Sequence, residues 1–379
     1  MRSINDTIDR LAAMRGAASG FGQSGSDRLE DLPAFGSNPG ALRARCYVPE
    51  HLSPNAPLVV VLHGCTQTAA GYDHGSGWSQ LADAHGFALL YPEQQRANNA
   101  NLCFNWFQPG DIRRDAGEAL SIRQMVAAMV SAHGIDPTRI FVTGLSAGGA
   151  MTSVMLATYP ELFAGGAVIA GLPYGTAHSV PEAFDRMRAH GGPPASALGA
   201  LVSTASPHEG PWPVLSVWHG TADATVAVAN AALVVEQWRE LHGVSREATQ
   251  VEQGAGYRRA LWHDAKGRAV IEEYRIDGMA HGTPLATTGA EACGAAGPFL
   301  LEAGISSTRR IAQFWGIADP TQGAQRAQPQ LDPLPAPSAP RRPTAQPTPR
   351  VDSPSNRAPA KDRIGRVIED ALRAAGLMR

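Results

Sequence analysis

Ser146 stands two residues after Gly144 and two before Gly148, in the run Gly144-Leu145-Ser146-Ala147-Gly148. A serine hydroxyl attacks an acyl carbon only when a base takes its proton, and flanking glycines let the backbone turn sharply enough to push that hydroxyl outward. In a chain with 40 glycines the pattern alone is weak, so its flanks decide its meaning. "RIFVTG", residues 139–144, is an apolar run of strand type, and "AGGAMTSVMLATYP", residues 147–160, can form a helix. Ser146 therefore falls at a strand-to-helix junction. The Ala147 amide, at the N-terminus of that helix, would face a negative charge developing on an attacked carbonyl.

A nucleophile on such a turn is followed in the chain by an acid and then a histidine. Asp223 fits the first place: it sits in "WHGTADATV", just past the apolar run "VLSVWHG". His281 fits the second, in "IDGMAHGTPL" after "VIEEYRI". Asp277 is the rival acid, but it shares His281's loop and has no strand of its own to hold it. His219 reads as a structural turn residue, and His242 and His263 lie in polar stretches read as exposed. A second oxyanion donor is expected from "LHGCTQT", residues 62–68, where Gly64 permits close backbone approach. The Cys65 amide is the first choice and Thr66 the second, with His63 read as stabilising the turn. Trp78, in "GSGWSQ", and Trp106, in "CFNWF", are placed in loops after strands. With Thr66 they are candidate substrate contacts, and the alternative for both tryptophans is core packing.

The elements that must position these residues alternate. Strands are predicted at "ALRARCYVP", "PLVVVLHG", "GFALLYP", "RIFVTG", "AGGAVIAG", "WPVLSVWHG" and "RAVIEEYRI". Helices are predicted over 112–133, after Ser146, up to about 242 and over 307–316. Continuous apolar strands separated by helices predict the α/β class, a mainly parallel sheet covered on both faces. That topology brings the loops of Cys65 and Cys103 to one edge and predicts that the two meet. A bridge between them is favoured by this geometry and opposed by a reducing compartment, so their redox state stays open.

The chain has 379 residues, 44% of them hydrophobic, and a formal charge of −2. That balance offers nothing to a polyanion, and no basic face with interleaved aromatics suggests nucleic acid. None of the four cysteines forms a C-x-x-C pair, so no metal site is expected. No apolar run reaches 18 residues, so no membrane-spanning helix is expected. The first 20 residues lack the apolar core of a secretory signal, interrupted as they are by Asp6 and Asp9, which favours a cytoplasmic location. Residues 1–39 are read as an N-terminal segment, partly helical or disordered, and 40–318 as the catalytic domain. Residues 319–361 are read as a disordered linker: 11 of the 29 prolines fall in residues 320–361. Residues 362–379 carry Ile364, Val367, Ile368, Ala371, Leu372 and Ala375 on one helical face. That helix is expected to dock on its own domain or a second copy, with a granule or partner anchor as the alternative.

"LHGCTQTAAGYD", "PEQQRANNANLCFNWF", "GLSAGGAM", "AGLPYG", "HGTAD" and "GMAHGTPL" together resemble the esterase/polyhydroxybutyrate-depolymerase family of α/β-hydrolases, relatives of feruloyl and acetylxylan esterases. The resemblance runs over about residues 40–316. It implies the α/β-hydrolase fold, a Ser146–His281–Asp223 triad and no cofactor. It also implies an ester substrate, polyhydroxybutyrate or its oligomers, with feruloyl or acetyl esters of polysaccharide as the alternative. A catalytically silent granule-binding protein is the alternative of another kind. Many similar sequences carry Cys after "PYG" where this chain has Thr176, which leaves Cys293 without an obvious partner. Members are often extracellular, against the location read from the N-terminus.

Overall fold

The structure is a computed structural model that describes residues 27–319. The N-terminal helical pattern, nearly all of the proline-rich stretch and the C-terminal amphipathic pattern lie outside the described residues.

Ten strands form one sheet in the order β1-β2-β4-β3-β5-β6-β7-β10-β9-β8. They are β1 (Glu30–Asp31), β2 (Arg43–Tyr47), β3 (Leu58–Leu62), β4 (Ala88–Glu93), β5 (Ile140–Leu145), β6 (Gly165–Ile169), β7 (Val214–Gly220), β8 (Gln250–Gly254), β9 (Tyr257–His263) and β10 (Ala269–Ile276). The six central strands, from β4 to β10 in that order, pair in parallel. Antiparallel strands close both sides. β3, β5 and β6 are buried along their whole length, which is why their sequences run apolar without alternation. A separate parallel pair joins β11 (Thr283–Leu285) to β12 (Leu300–Glu302).

Among the described residues, eight helices follow the same logic: α1 (Ala69–Ser76), α2 (Trp78–His85), α3 (Gly117–His133), α4 (Ala147–Thr158), α5 (Val180–Met187), α6 (Leu198–Ser203), α7 (Ala229–Arg239) and α8 (Ser307–Phe314). Successive β3 side chains serve opposite faces. Leu58, Val60 and Leu62 join a core with Met125 of α3, Met151 of α4 and Val234 of α7. Val59 and Val61 join a second core with Tyr72 of α1, Leu81 of α2 and Ile311 of α8. All twelve residues of α4 are buried, so the helix behind Ser146 is apolar all round.

The polar, charge-rich β8 and β9 have no apolar run to announce them, and the sequence reading passes them over. α1 hides for another reason. It carries Gly71 and Gly75, poor helix formers, yet Thr68 caps it by accepting from Gly71 N–H at 3.1 Å and Tyr72 anchors it in the core. α3 starts at Gly117 rather than at 112, where the Asp111 carboxylate accepts from Glu118 N–H at 3.2 Å.

Candidate active site

The turn from β5 into α4 is as sharp as its glycines require. Ser146 has φ 57° and ψ −116°, a conformation L-residues rarely adopt, and its N–H is held by the Ile169 carbonyl at 2.9 Å. A methyl group on Gly144 would strike the Gly148 backbone, and one on Gly148 would strike the Leu62 and His63 carbonyls. The serine is half-buried, at the C-terminal end of the sheet's central strands.

Asp223 lies past the end of β7 and His281 past the end of β10, and their loops are laced together. Ala222 N–H donates to the Met279 carbonyl at 3.0 Å, and Gly278 N–H to Thr221 Oγ1 at 2.8 Å. His281 Nδ1 lies 2.7 Å from Asp223 Oδ2. The other carboxylate oxygen accepts from Thr225 and Val226 N–H, at 2.8 and 2.9 Å. A carboxylate can only accept there, so Nδ1 carries the proton and Nε2 is left as the basic nitrogen. Burial works against ionising Asp223, but hydrogen bonds from His219 and His281 outweigh it and hold the carboxyl well below its ordinary value. His219 Nε2 lies 3.3 Å from Asp223 Oδ2 and 2.9 Å from the Val226 carbonyl, so it braces the acid's turn. No hydrogen bond joins Ser146 to His281 among the described residues; such contacts commonly tighten only when substrate binds. Asp277 is exposed and its backbone bonds to Gly256, away from His281. His263 contacts Thr249 at 2.6 Å. His242, read as exposed, is half-buried against the Pro213 carbonyl, and burial brings its imidazole down to about 4.

The loop after β3 is tied at every residue from 63 to 67. His63 Nε2 accepts from Gln94 N–H at 3.2 Å, and its Nδ1 lies 2.8 Å from the Gly64 carbonyl, a pairing that needs the neutral ring; burial pushes that imidazole down accordingly. Gly64 N–H donates to Gln67 Oε1 at 2.8 Å. Cys65 is joined to Cys103 by a disulfide, with Cα atoms 4.2 Å apart. Thr66 N–H donates to the Asn101 carbonyl at 2.8 Å, which removes it as an oxyanion donor. Among the described residues the Cys65 and Ala147 amides have no protein acceptor.

The loop that supplies Cys103 has a hub the sequence reading missed. Glu118, fully buried, accepts from Gln94 Nε2 at 2.6 Å, Asn98 Nδ2 at 3.2 Å and Asn105 N–H at 2.8 Å. Burial pushes its carboxyl up to about 8; the Asn105 amide opposes the rise, Asp111 adds to it, and the Gln94 and Asn98 amides oppose it. A glutamate in the first turn of a helix looks like an ordinary surface residue, so the available signal was the amide-rich "EQQRANNANLCFN" just before it.

For Trp78 the core-packing alternative holds. It is the first residue of α2, 1% exposed, stacked on Trp315 and edge-on to Phe87. The Gly77 turn starts a second helix there instead of a loop. Trp106 is also almost wholly buried, edge-on to Phe107. Cys46 and Cys293 are buried free thiols, and Thr176 spends its hydroxyl on the Pro173 carbonyl at 3.1 Å.

The family described as esterase PHB depolymerase matches residues 44–280. The chain belongs to that family. It is 48% identical over 291 residues to poly(3-hydroxyalkanoate) depolymerase C of Paucimonas lemoignei, covering 76% of this chain and 70% of that one. Acetylxylan esterase A of Emericella nidulans is 30% identical, over 67% of this chain and 84% of its own. The acetyl xylan esterase structure from Aspergillus awamori superposes with a TM-score of 0.65 over 76% of this chain and 99% of its own; at 24% identity it shows the α/β-hydrolase fold. The esterase/PHB depolymerase chain is thus a carboxylic ester hydrolase. No helix among the described residues is long and apolar enough to cross a membrane.

Proposed function

We propose that this chain is a serine esterase that cleaves poly(3-hydroxyalkanoate) chains or their oligomers, with Ser146 as nucleophile, His281 as general base and Asp223 as its acid partner. The observation that carries the chemistry is the 2.7 Å contact from Asp223 to His281 Nδ1, which frees Nε2 at the same sheet edge as the Ser146 turn. The 48% identity to a depolymerase supports the substrate.

His281 Nε2 takes the Ser146 proton as Oγ attacks the ester carbonyl. Asp223 stabilises the imidazolium and fixes its tautomer. The Cys65 and Ala147 amides donate to the oxyanion, and α4 adds the positive end of its dipole. His281 returns the proton to the leaving alkoxide, the hydroxyl end of the next polyester unit. Water then attacks the acyl-enzyme with His281 as base again, releasing a hydroxyacid and restoring Ser146.

Hydrolysis of p-nitrophenyl butyrate tests the enzyme, and its absence means a silent binding protein. A panel of poly(3-hydroxybutyrate) emulsion, its soluble oligomers, methyl ferulate and acetylated xylan tests the substrate. We expect release of hydroxyacid from the first two; a preference for the last two would move the chain to the polysaccharide esterases.

A further inference from the structure

Gly297, Pro298, Phe299 and Leu300 form a tight turn. Leu300 N–H donates to the Gly297 carbonyl at 3.0 Å, and Gly297 N–H to the Leu300 carbonyl at 2.9 Å. Phe299, third in the turn, has φ 63°. With proline second and a positive φ third, this is a type II pattern, whose third place normally goes to glycine because a side chain there is strained. A half-buried phenylalanine in that place needs a reason beyond the turn itself.

The reason lies across the turn. The Phe299 carbonyl accepts from Thr283 N–H at 2.8 Å, and Thr283 pairs with Leu300 in the β11–β12 ladder. Phe299 is thereby fixed beside the loop that carries His281. Its ring centre lies 6.2 Å from that of the imidazole, with the planes at 69°. The Asp223 hydrogen bond holds His281 at one atom, which leaves the imidazole free to tilt about that point. An edge-on aromatic ring removes that freedom.

We infer that Phe299 is a positioning residue for His281, bracing the imidazole so that Nε2 stays aimed at Ser146. This rests on the triad proposed above. The test measures kcat and KM on p-nitrophenyl butyrate, with thermal melts, for the full chain and its F299A, F299G, F299L and H281A variants. F299A and F299G should lose about 10- to 100-fold in kcat, the scale expected of a misaimed catalytic group, with KM changed less than about threefold. F299L, which keeps apolar bulk, should recover most of the loss. F299G gives the turn its favoured residue, so it is decisive if F299A melts below the assay temperature. A kcat within about twofold of wild type in folded F299G overturns the inference. So does a rise in KM at unchanged kcat, which would make Phe299 a substrate contact. H281A separates the two readings: if it stays active the triad itself is wrong, and if it is inactive while F299G is not, only the bracing role fails.

Discussion

At the ends of β7 and β10, Asp223 and His281 are held largely by their own side chains, through carboxylate bonds to two amides and two imidazoles. The loop after β3 carries a proposed oxyanion donor, the Cys65 amide. There the useful groups are backbone amides, and a backbone amide can be aimed only by fixing the loop that contains it. That loop is fixed by a disulfide, a neutral histidine and a ring of amides around a buried glutamate. One side keeps its function in individual atoms, the other in a conformation. Substitutions should therefore act nearly all-or-none on the first side and by degrees on the second.

The sharpest break in that comparison is at the nucleophile and base. S146A and H281A should each lower kcat on p-nitrophenyl butyrate by on the order of 10⁶ with little change in melting temperature. Activity within tenfold of wild type in either would dissolve the distinction. D223N should cost about 10⁴, since the amide can hold the wrong tautomer of His281. D277N, on an exposed carboxylate, should change kcat less than twofold. If D277N were the more damaging of the pair, the acid would have been misassigned.

The oxyanion side should answer more softly. C65S/C103S removes a link across 38 residues, for which loop-closure entropy gives about 4 kcal/mol. The doubly substituted chain should melt well below wild type. Its kcat at a temperature where it is folded should fall by about 10- to 100-fold, because the Cys65 amide is misaimed rather than lost. A fall as large as that of S146A would mean that the loop is not a graded support.

This contrast also explains what was legible in the sequence. Ser146, Asp223 and His281 stand at the ends of apolar runs, and a strand end of its own separates Asp223 from Asp277, so the side-chain roles proposed for them rest on features visible in the sequence. The central strands were legible because burial on both faces leaves continuous apolar runs. In the loop proposed to hold the oxyanion, nothing in the spacing of Thr66 says that its amide is taken by Asn101. Trp78 was misplaced because Gly77, with φ 75°, joins two short helices where a glycine-flanked tryptophan suggests a loop. Glu118 and Phe299 act through partners remote in sequence, and only the folded chain brings those together.

The smallest expected effect concerns Glu118 and is a matter of slope. Gln94, Asn98 and Asn105 all donate to it, so its oxygens are best used when ionised, yet burial raises its carboxyl to about 8 from an ordinary value of 4.5. A carboxyl whose folded value is raised binds more protons in the native state than in the unfolded one. Its contribution to stability is therefore greatest below about 4.5 and declines as pH rises toward about 8. Asp223, with its depressed value, does the opposite in a lower window: its contribution is present above its ordinary value of 3.8 and is lost as pH falls below that. The two windows adjoin without overlapping, so pH separates the two sides of the site. E118Q cannot titrate and keeps one acceptor oxygen, but its amide turns a donor toward groups that also donate. It should be less stable than wild type at pH 5, by about 1–3 kcal/mol for a buried donor left unmatched. The gap between the two melting temperatures should narrow from pH 5 to pH 8, because only wild type loses the Glu118 contribution across that range. Thermal melts of both proteins in half-unit steps would show this. A gap that stays constant or widens would mean that Glu118 is ionised throughout, with the amide ring outweighing burial.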